Sequence, residues 1–194
     1  MELTLTAAGL LSQAKALSRL EEYDISFAEQ PISTHDPLNL ADLRQCTNIP
    51  IMADESLFTS QDAWHLTQLR AADIFSVYPG KHGGIQATVE ITNIAKAAGV
   101  VCSIGSNLEL GIGTAAMLHV AAAIDTIDST NFPGDFIGPL YHETDLLKTP
   151  LSLGPVVATI PEGPGLGVEL DEDQLNFYRD HESDARALDQ ILDG

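Results

Sequence analysis

The chain has 194 residues, a formal net charge of −19, 44% hydrophobic residues and 19% charged residues. This length and composition indicate one globular domain with a sizeable core and argue against a disordered chain. The strong negative charge argues against nucleic acid or an anionic membrane as a partner, because no basic patch could neutralise phosphates. No apolar run reaches membrane-spanning length and the N-terminus lacks the basic region of a secretory signal, so we expect a cytoplasmic protein.

Predicted helices and strands alternate along the chain. Helical apolar spacing predicts helices over 7–23, 38–46, 60–72, 83–99 and 111–124. Short apolar runs predict strands over 24–31, 49–56, 73–79, 100–107 and 126–132. Each predicted strand follows a helix, which is the order expected of βα units.

The spacing of the strands is regular. Reference positions in four successive strands, Glu29, Asp54, Tyr78 and Ser103, are 25, 24 and 25 residues apart. Such a period predicts right-handed βα units and a parallel sheet, and without a Gly-rich dinucleotide-binding turn it favours a barrel. We predict an α/β fold in which residues 1–150 form a partial (β/α) TIM-type barrel, about five of the eight units. Residues 151–194 are predicted to form a Pro/Gly-rich extended tail and an acidic terminal helix.

Polar residues follow several of the predicted strands, at the end of a barrel where active sites lie. The residues selected by this rule are Glu29 with Gln30, Asp54 with Glu55, Tyr78 with Lys81, and the segment 106–109. Two carboxylates at neighbouring strand ends are hard oxygen ligands of the kind that Mg²⁺ prefers. The alternative is that both are surface carboxylates beside turns, and their matching positions make this alternative less favourable.

Five motifs occur in order along the chain: FAEQP (27–31), IPIMADES (49–56), GGI (83–85), SNLELGIGTAAMLHVAAA (106–123) and PEGPGLGVELDED (161–173). In this combination the chain resembles the C-terminal barrel domain of the enolase superfamily, in its mandelate racemase/muconate-lactonizing-enzyme branch and the muconate-lactonizing-enzyme subgroup. The resemblance implies a Mg²⁺-dependent enzyme that abstracts a proton alpha to a carboxylate. Known family activities are sugar-acid dehydration, racemisation or epimerisation, and cycloisomerisation.

The resemblance also implies roles for individual residues. Glu29 and Asp54 match the second and third metal ligands of the family, and Glu109 matches the carboxylate of an LE motif after the seventh strand. Glu109 is expected either to act directly or to hydrogen-bond a residue that does. The metal would neutralise charge that develops on the substrate carboxylate, which lowers the barrier to C–H ionisation.

The end of the sixth family strand departs from the usual pattern. Tyr78 stands where the subgroup usually has a lysine, and Lys81 follows three residues later. We expect Tyr78 to act as the acid/base or to hydrogen-bond the substrate, or Lys81 to reach into the site from the turn. A solvated Lys81 is the third alternative.

The family's first metal ligand, its Lys-x-Lys strand and its capping domain have no counterpart in this sequence, so we expect the chain to begin downstream of the third barrel strand. We favour a sugar-acid or hydroxy-acid dehydratase, because one tyrosine suits one-sided acid/base chemistry. The alternatives are a cycloisomerase, a racemase or epimerase, or an inactive fragment. Unpaired sheet edges favour a homo-oligomer or pairing with a missing N-terminal part.

Four other side chains are interpreted as structural. Cys46 and Cys102 have no metal-binding spacing and are predicted to be two buried thiols rather than a disulfide. Trp64 is predicted to lie in the core, and His82 is predicted to lie in a turn, where it contacts water or, as the less favoured alternative, substrate.

Overall fold

The sheet contains four parallel strands that lie side by side in chain order. The computed structural model describes residues 9–34 and 36–180. The strands are Ala28–Glu29 (β1), Ile51–Ala53 (β2), Ile74–Val77 (β3) and Val101–Ile104 (β4). All three neighbouring pairs are parallel, as repeated βα units require.

Helices precede and follow these strands. They are Leu10–Leu20 (α1), Pro37–Gln45 (α2), Ser60–Leu69 (α3), Pro79–His82 (α4), Ile85–Ala98 (α5), Gly111–Ala123 (α6) and Glu172–Asp180 (α7), with 3₁₀ turns at Glu21–Tyr23 and Gly138–Tyr141. Local sequence explains two of the starts. Asp36 caps α2 by accepting from the backbone N–H groups of Leu38 and Asn39, and Thr59 forms a capping box with Asp62 at α3.

The fifth predicted strand, over 126–132, is reduced to one parallel bridge between Ile127 and Cys102. The chain turns immediately afterwards because the Asp128 carboxylate accepts hydrogen bonds from the backbone N–H groups of Thr130 and Asn131, both at 3.0 Å. Aspartate commonly stabilises such turns in competition with extended structure.

A small aromatic and aliphatic core lies on one face of the sheet. Phe27, Met52 and Ile74 are buried together there, and Phe132 packs against them with its ring edge-on to Phe27 at 5.8 Å between centroids. In register, Met52 lies beside Ile74, so both side chains point to the same face. This face continues towards the carboxyl ends of the strands, where the polar residues lie.

The chain divides into two compact units. The first comprises residues 1–107 and 120–135, and the second comprises 108–119 and 136–194. Within the second unit the predicted extended tail forms antiparallel bridges between Leu147 and Leu170 and between Leu153 and Ala158. The acidic helix α7 is described as far as Asp180, and the rest of the predicted terminal segment lies outside the described residues.

Three structural predictions are wrong. Trp64 is 58% exposed, because Ala63 and Leu66 take the inward face of α3. Cys46 is exposed at the end of α2, although both cysteines are free as predicted and Cys102 is buried. His82 is buried, not solvated. Within the described part of the chain, no helix is long and apolar enough to cross a membrane.

Candidate metal and acid/base site

Two carboxylates lie at the ends of adjacent parallel strands. Glu29 is the last residue of β1, and Asp54 directly follows β2. The register places Glu29 beside Met52, and Asp54 is two residues further along. Because side chains alternate along a strand, Glu29 and Asp54 belong to the same face of the sheet, which is also the face of Tyr78.

Lys81 contacts this pair from the short helix α4. Its side chain is 2% exposed, and its ammonium forms an ion pair with the Asp54 carboxylate. It also donates to the backbone carbonyl oxygens of Asp54, at 3.0 Å, and Ser76, at 2.8 Å. These contacts use all three donors of the ammonium group. The alternative of a solvated Lys81 is therefore wrong.

The reason for this placement is the single helical turn of α4, which periodicity alone did not predict. Pro79 occupies the first turn of α4, where a missing N–H costs nothing, and Gly83 ends the helix with a φ of 85°. The turn carries Lys81 back over the strand ends instead of out into solvent.

The electrostatic surroundings of Lys81 are strongly negative. Burial lowers the pKa of its ammonium, and the negative charges of Asp54, Glu29 and Glu55 oppose that shift. The buried lysine is thus paired with Asp54 and lies in the negative field of Glu29 and Glu55, at the carboxyl ends of β1 and β2.

Tyr78 is buried beside this cluster. Its hydroxyl donates to Oδ1 of Asn107 at 3.2 Å, and the Lys81 Nζ atom lies 4.7 Å from the centroid of its ring. Gly105 makes room for the ring, since a Cβ atom there would come within 3.0 Å of it and within 2.2 Å of Ser76 Oγ. The structure therefore brings Tyr78 and Lys81 together, with Tyr78 hydrogen-bonded to Asn107 and Lys81 paired with Asp54.

Glu109 belongs to the second unit, and its surroundings there are tightly packed. Its backbone carbonyl accepts from the Thr114 hydroxyl at 3.0 Å, and its Oε1 atom is buried. A Cβ atom on Gly138 would come within 2.3 Å of the Glu109 carbonyl oxygen, so the backbone approaches closely at this point. Its role in the reaction stays a prediction.

Gln30 and Asn107 fall in the segments that the strand-end rule selects, but the sequence suggests no role for either. Gln30 has a φ of 35° and is buried, and its side chain makes four hydrogen bonds around the loop that carries Asp54. The sequence carries no signal of this arrangement, because the burial of the amide and its contacts with Asp54 and Ser56 are set by the fold.

The residues present fit Mg²⁺ in part. Proteins often bind this ion through one or two carboxylates, with water and substrate completing the coordination. Glu29 and Asp54 can supply two such ligands, and Asp54 is also paired with the Lys81 ammonium. Among residues 9–34 and 36–180, no group of three or more His, Cys, Asp or Glu side chains is arranged to hold a metal ion.

Comparison with known proteins decides the family. Residues 6–174 match the family described as enolase C-terminal domain-like. The chain belongs to this enolase family. The family that the five motifs predict is confirmed. The fold class is also confirmed, because enolase-family barrel enzymes superpose on most of this chain.

Three relatives illustrate the relationship. Muconate cycloisomerase 1 of Rhodococcus opacus is 39% identical over 168 residues, which are 87% of this chain and 44% of that protein. L-Ala-D/L-Glu epimerase of Bacillus subtilis is 36% identical over 155 residues, 79% of this chain and 41% of that protein. The structure of muconate lactonizing enzyme from Pseudomonas fluorescens with muconolactone has a TM-score of 0.82 and 33% identity, over 88% of this chain and 45% of that one.

These relatives bear on the predicted activity. The chain spans less than half the length of the relatives that it matches. Their names describe cycloisomerases and an epimerase, so the comparisons favour the isomerase alternative and do not support the sugar-acid dehydratase.

Proposed function

We propose that this chain contributes to an isomerase that acts on a small carboxylate at the carbon alpha to its carboxyl group, with cycloisomerisation as the reaction. The observation that carries the proposal is the cluster of Glu29, Asp54 and Lys81 in a chain 39% identical to a muconate cycloisomerase. In such a reaction one carboxylate oxygen adds to a carbon–carbon double bond, and a proton is delivered to the carbon alpha to the other carboxylate. The substrate dianion gains one proton and becomes a lactone monoanion, because one of its carboxylates becomes an ester, and solvent returns the proton to the donor.

Glu29 and Asp54 would hold Mg²⁺, which supplies positive charge to the substrate carboxylate when bound. Lys81 holds its proton at Nζ beside Asp54, at the same strand ends. Its ammonium also places a fixed positive charge where negative charge develops during the reaction. We therefore assign the proton donor to Lys81, and this assignment requires one of its three N–H groups to leave its present acceptor, Asp54 or Ser76, when the substrate is bound.

Tyr78 has a supporting part in this proposal. Its hydroxyl donates to Asn107 Oδ1 at 3.2 Å, and its ring lies beside the Lys81 ammonium. The ring thus limits where the ammonium can move, and the hydroxyl is held in place by Asn107. We propose that Tyr78 orients Lys81 and one substrate oxygen.

Epimerisation is the second candidate, and the epimerase relative at 36% identity supports it. Epimerisation needs a base on each side of the substrate carbon. In the part of the chain that the structure describes, the cluster offers one lysine, at position 81, which suits proton delivery to one side. We prefer cycloisomerisation because the muconate cycloisomerase relative is the more similar of the two, at 39% identity.

The test uses the purified 194-residue chain with Mg²⁺ and cis,cis-muconate, followed by loss of ultraviolet absorbance and by NMR in D₂O. The proposal predicts lactone formation with one deuterium at the alpha carbon, and loss of activity in Lys81→Met. A parallel reaction with L-Ala-L-Glu tests for epimerisation. If the folded wild-type protein neither converts muconate nor exchanges the alpha proton of the dipeptide, the proposed activity of this chain is wrong.

A further inference from the structure

Gln30 links the strands that carry the two proposed metal ligands, Glu29 and Asp54, because it extends the hydrogen bonding between β1 and β2 by one residue. It follows Glu29 directly, and its backbone N–H donates to the Met52 carbonyl at 2.9 Å. Its side chain is buried, with 7% of the residue exposed, and its φ is 35°. A residue other than glycine rarely adopts this left-handed conformation, which persists only where the surroundings hold it in place.

The side-chain amide of Gln30 is fully used. Its Oε1 accepts from the backbone N–H groups of Asp54, at 3.0 Å, and Ser56, at 3.1 Å. Its Nε2 donates to the Ser56 hydroxyl at 2.8 Å and to the Ile32 carbonyl at 3.0 Å. These four bonds match the two acceptor and two donor positions of a primary amide.

Close substitutes for glutamine cannot reproduce this pattern. Glutamate has the same length, but its second oxygen would face the Ile32 carbonyl, which only accepts hydrogen bonds. Asparagine is one methylene shorter and would not reach Ile32 and Asp54 together. The position therefore requires a neutral amide of this length.

The contacts of Asp54 show what the amide controls. Its backbone N–H is held by Gln30, and its carbonyl accepts from Lys81 and from the Leu57 N–H, the latter at 2.9 Å. The loop after β2 is thus fixed from the side of β1 by Gln30 and from the side of β3 by Lys81. Since Glu29 is the neighbour of Gln30 in the chain, the amide ties the backbones of both ligands together.

We propose that Gln30 is a positioning residue that fixes the separation of the Glu29 and Asp54 carboxylates and so sets the Mg²⁺ affinity of the site. This inference rests on the proposed function, because it takes these two carboxylates as metal ligands. Residues that orient metal ligands typically contribute about 10- to 100-fold in affinity. A residue that only stabilised the core would change unfolding without a selective change in affinity.

The experiment compares Gln30→Glu with Gln13→Glu in the 194-residue chain. Gln13 is a matched control, because it is also buried, with 3% of the residue exposed, but lies on α1 outside the site. Mg²⁺ binding is measured by calorimetry, and backbone amide exchange is measured by NMR at pH 7. We expect Gln30→Glu to weaken Mg²⁺ binding by about tenfold or more and to accelerate exchange at Asp54 and Ser56, whereas Gln13→Glu does neither.

The outcomes separate this inference from the proposed function. If the wild type binds Mg²⁺ and Gln30→Glu binds it equally well, the inference is overturned even when the variant is less stable. If the wild type binds no Mg²⁺, the proposed metal chemistry fails for this chain, and amide exchange decides the positioning role: acceleration in Gln30→Glu supports it and unchanged rates overturn it. Should Gln30→Glu not fold, Gln30→Met removes the same four hydrogen bonds without adding a buried charge, and unchanged exchange at Asp54 in that variant overturns the inference.

Discussion

Lys81 contacts Asp54 through both its carboxylate and its backbone carbonyl, the latter at 3.0 Å, across the ends of β2 and β3. The ammonium is almost completely buried, whereas the carboxylate keeps some contact with solvent. Removing one partner of a buried pair leaves an uncompensated charge, which costs much more than losing a surface pair.

Replacing Lys81 by methionine should destabilise the protein by about 2–4 kcal/mol, because the Asp54 carboxylate loses its buried counter-ion. Lys96→Met is the control, since its ion pair with Asp125 is exposed and screened by solvent and should contribute little to stability. Urea unfolding measures both free energies. Equal effects of the two substitutions would contradict the burial of Lys81.

Replacing Tyr78 by phenylalanine removes only the hydroxyl that donates to Asn107. We expect a loss of about 1 kcal/mol in stability and a reduction in kcat smaller than that of Lys81→Met. Unfolding in urea and steady-state kinetics provide the two values. A loss of activity as complete as in Lys81→Met would instead make Tyr78 the acid/base.

Replacing Gly105 by alanine should disturb the site without touching a charged group. The new Cβ would approach Ser76 Oγ to 2.2 Å and the Tyr78 ring to 3.0 Å, which should cost about 1–3 kcal/mol. Adding Ser76→Ala should recover part of this loss, because it removes the closest atom. Thermal unfolding of the single and double variants is the measurement, and an additive effect would show that the clash is not at Ser76.

His82 should make stability depend on pH. Its Nδ1 lies 2.9 Å from the Phe58 carbonyl and therefore carries the proton of the neutral ring. Burial, together with the charge of Lys81, lowers its pKa from 6.5 to about 4. Between these values the unfolded chain binds a proton that the folded chain does not, so stability falls as pH falls from about 6.5 to about 4.

We expect His82 to lower the free energy of unfolding by about 1–3 kcal/mol across this pH range. Below a pH of about 4 its contribution does not change further. The measurement is urea unfolding of the wild type and of His82→Gln, which does not titrate, at several pH values. The difference between the two proteins isolates His82 from the many carboxylates. Parallel pH curves for the two proteins would rule out this contribution.

Much of the fold could be predicted because it follows from periodicity. The apolar runs and their regular spacing predict the positions of the four strands. The capping residues Asp36 and Thr59 lie at two of the helix starts. The predicted strand after residue 125 could not be separated from a turn, because the apolar pattern of Ile127 competes with the turn-forming side chain of Asp128.

The candidate site was predictable in position but not in contacts. The ends of β1 and β2 follow from alternation, so Glu29 and Asp54 could be selected from sequence. The burial of Lys81 could not, because it depends on a helical turn of four residues that is too short to show a period. The same applies to the amide of Gln30, whose partners Asp54 and Ser56 are 24 and 26 residues away in sequence.

The most direct measurement is a calorimetric Mg²⁺ titration of the wild-type chain, of Asp54→Asn and of Asp125→Asn. Asp125 is an exposed aspartate that also pairs with a lysine, which makes it a matched control. The account predicts saturable binding that Asp54→Asn abolishes and Asp125→Asn retains. Absence of saturable binding in the folded wild type, or equal binding by Asp54→Asn, would contradict the claim that the carboxyl ends of β1 and β2 form a metal site.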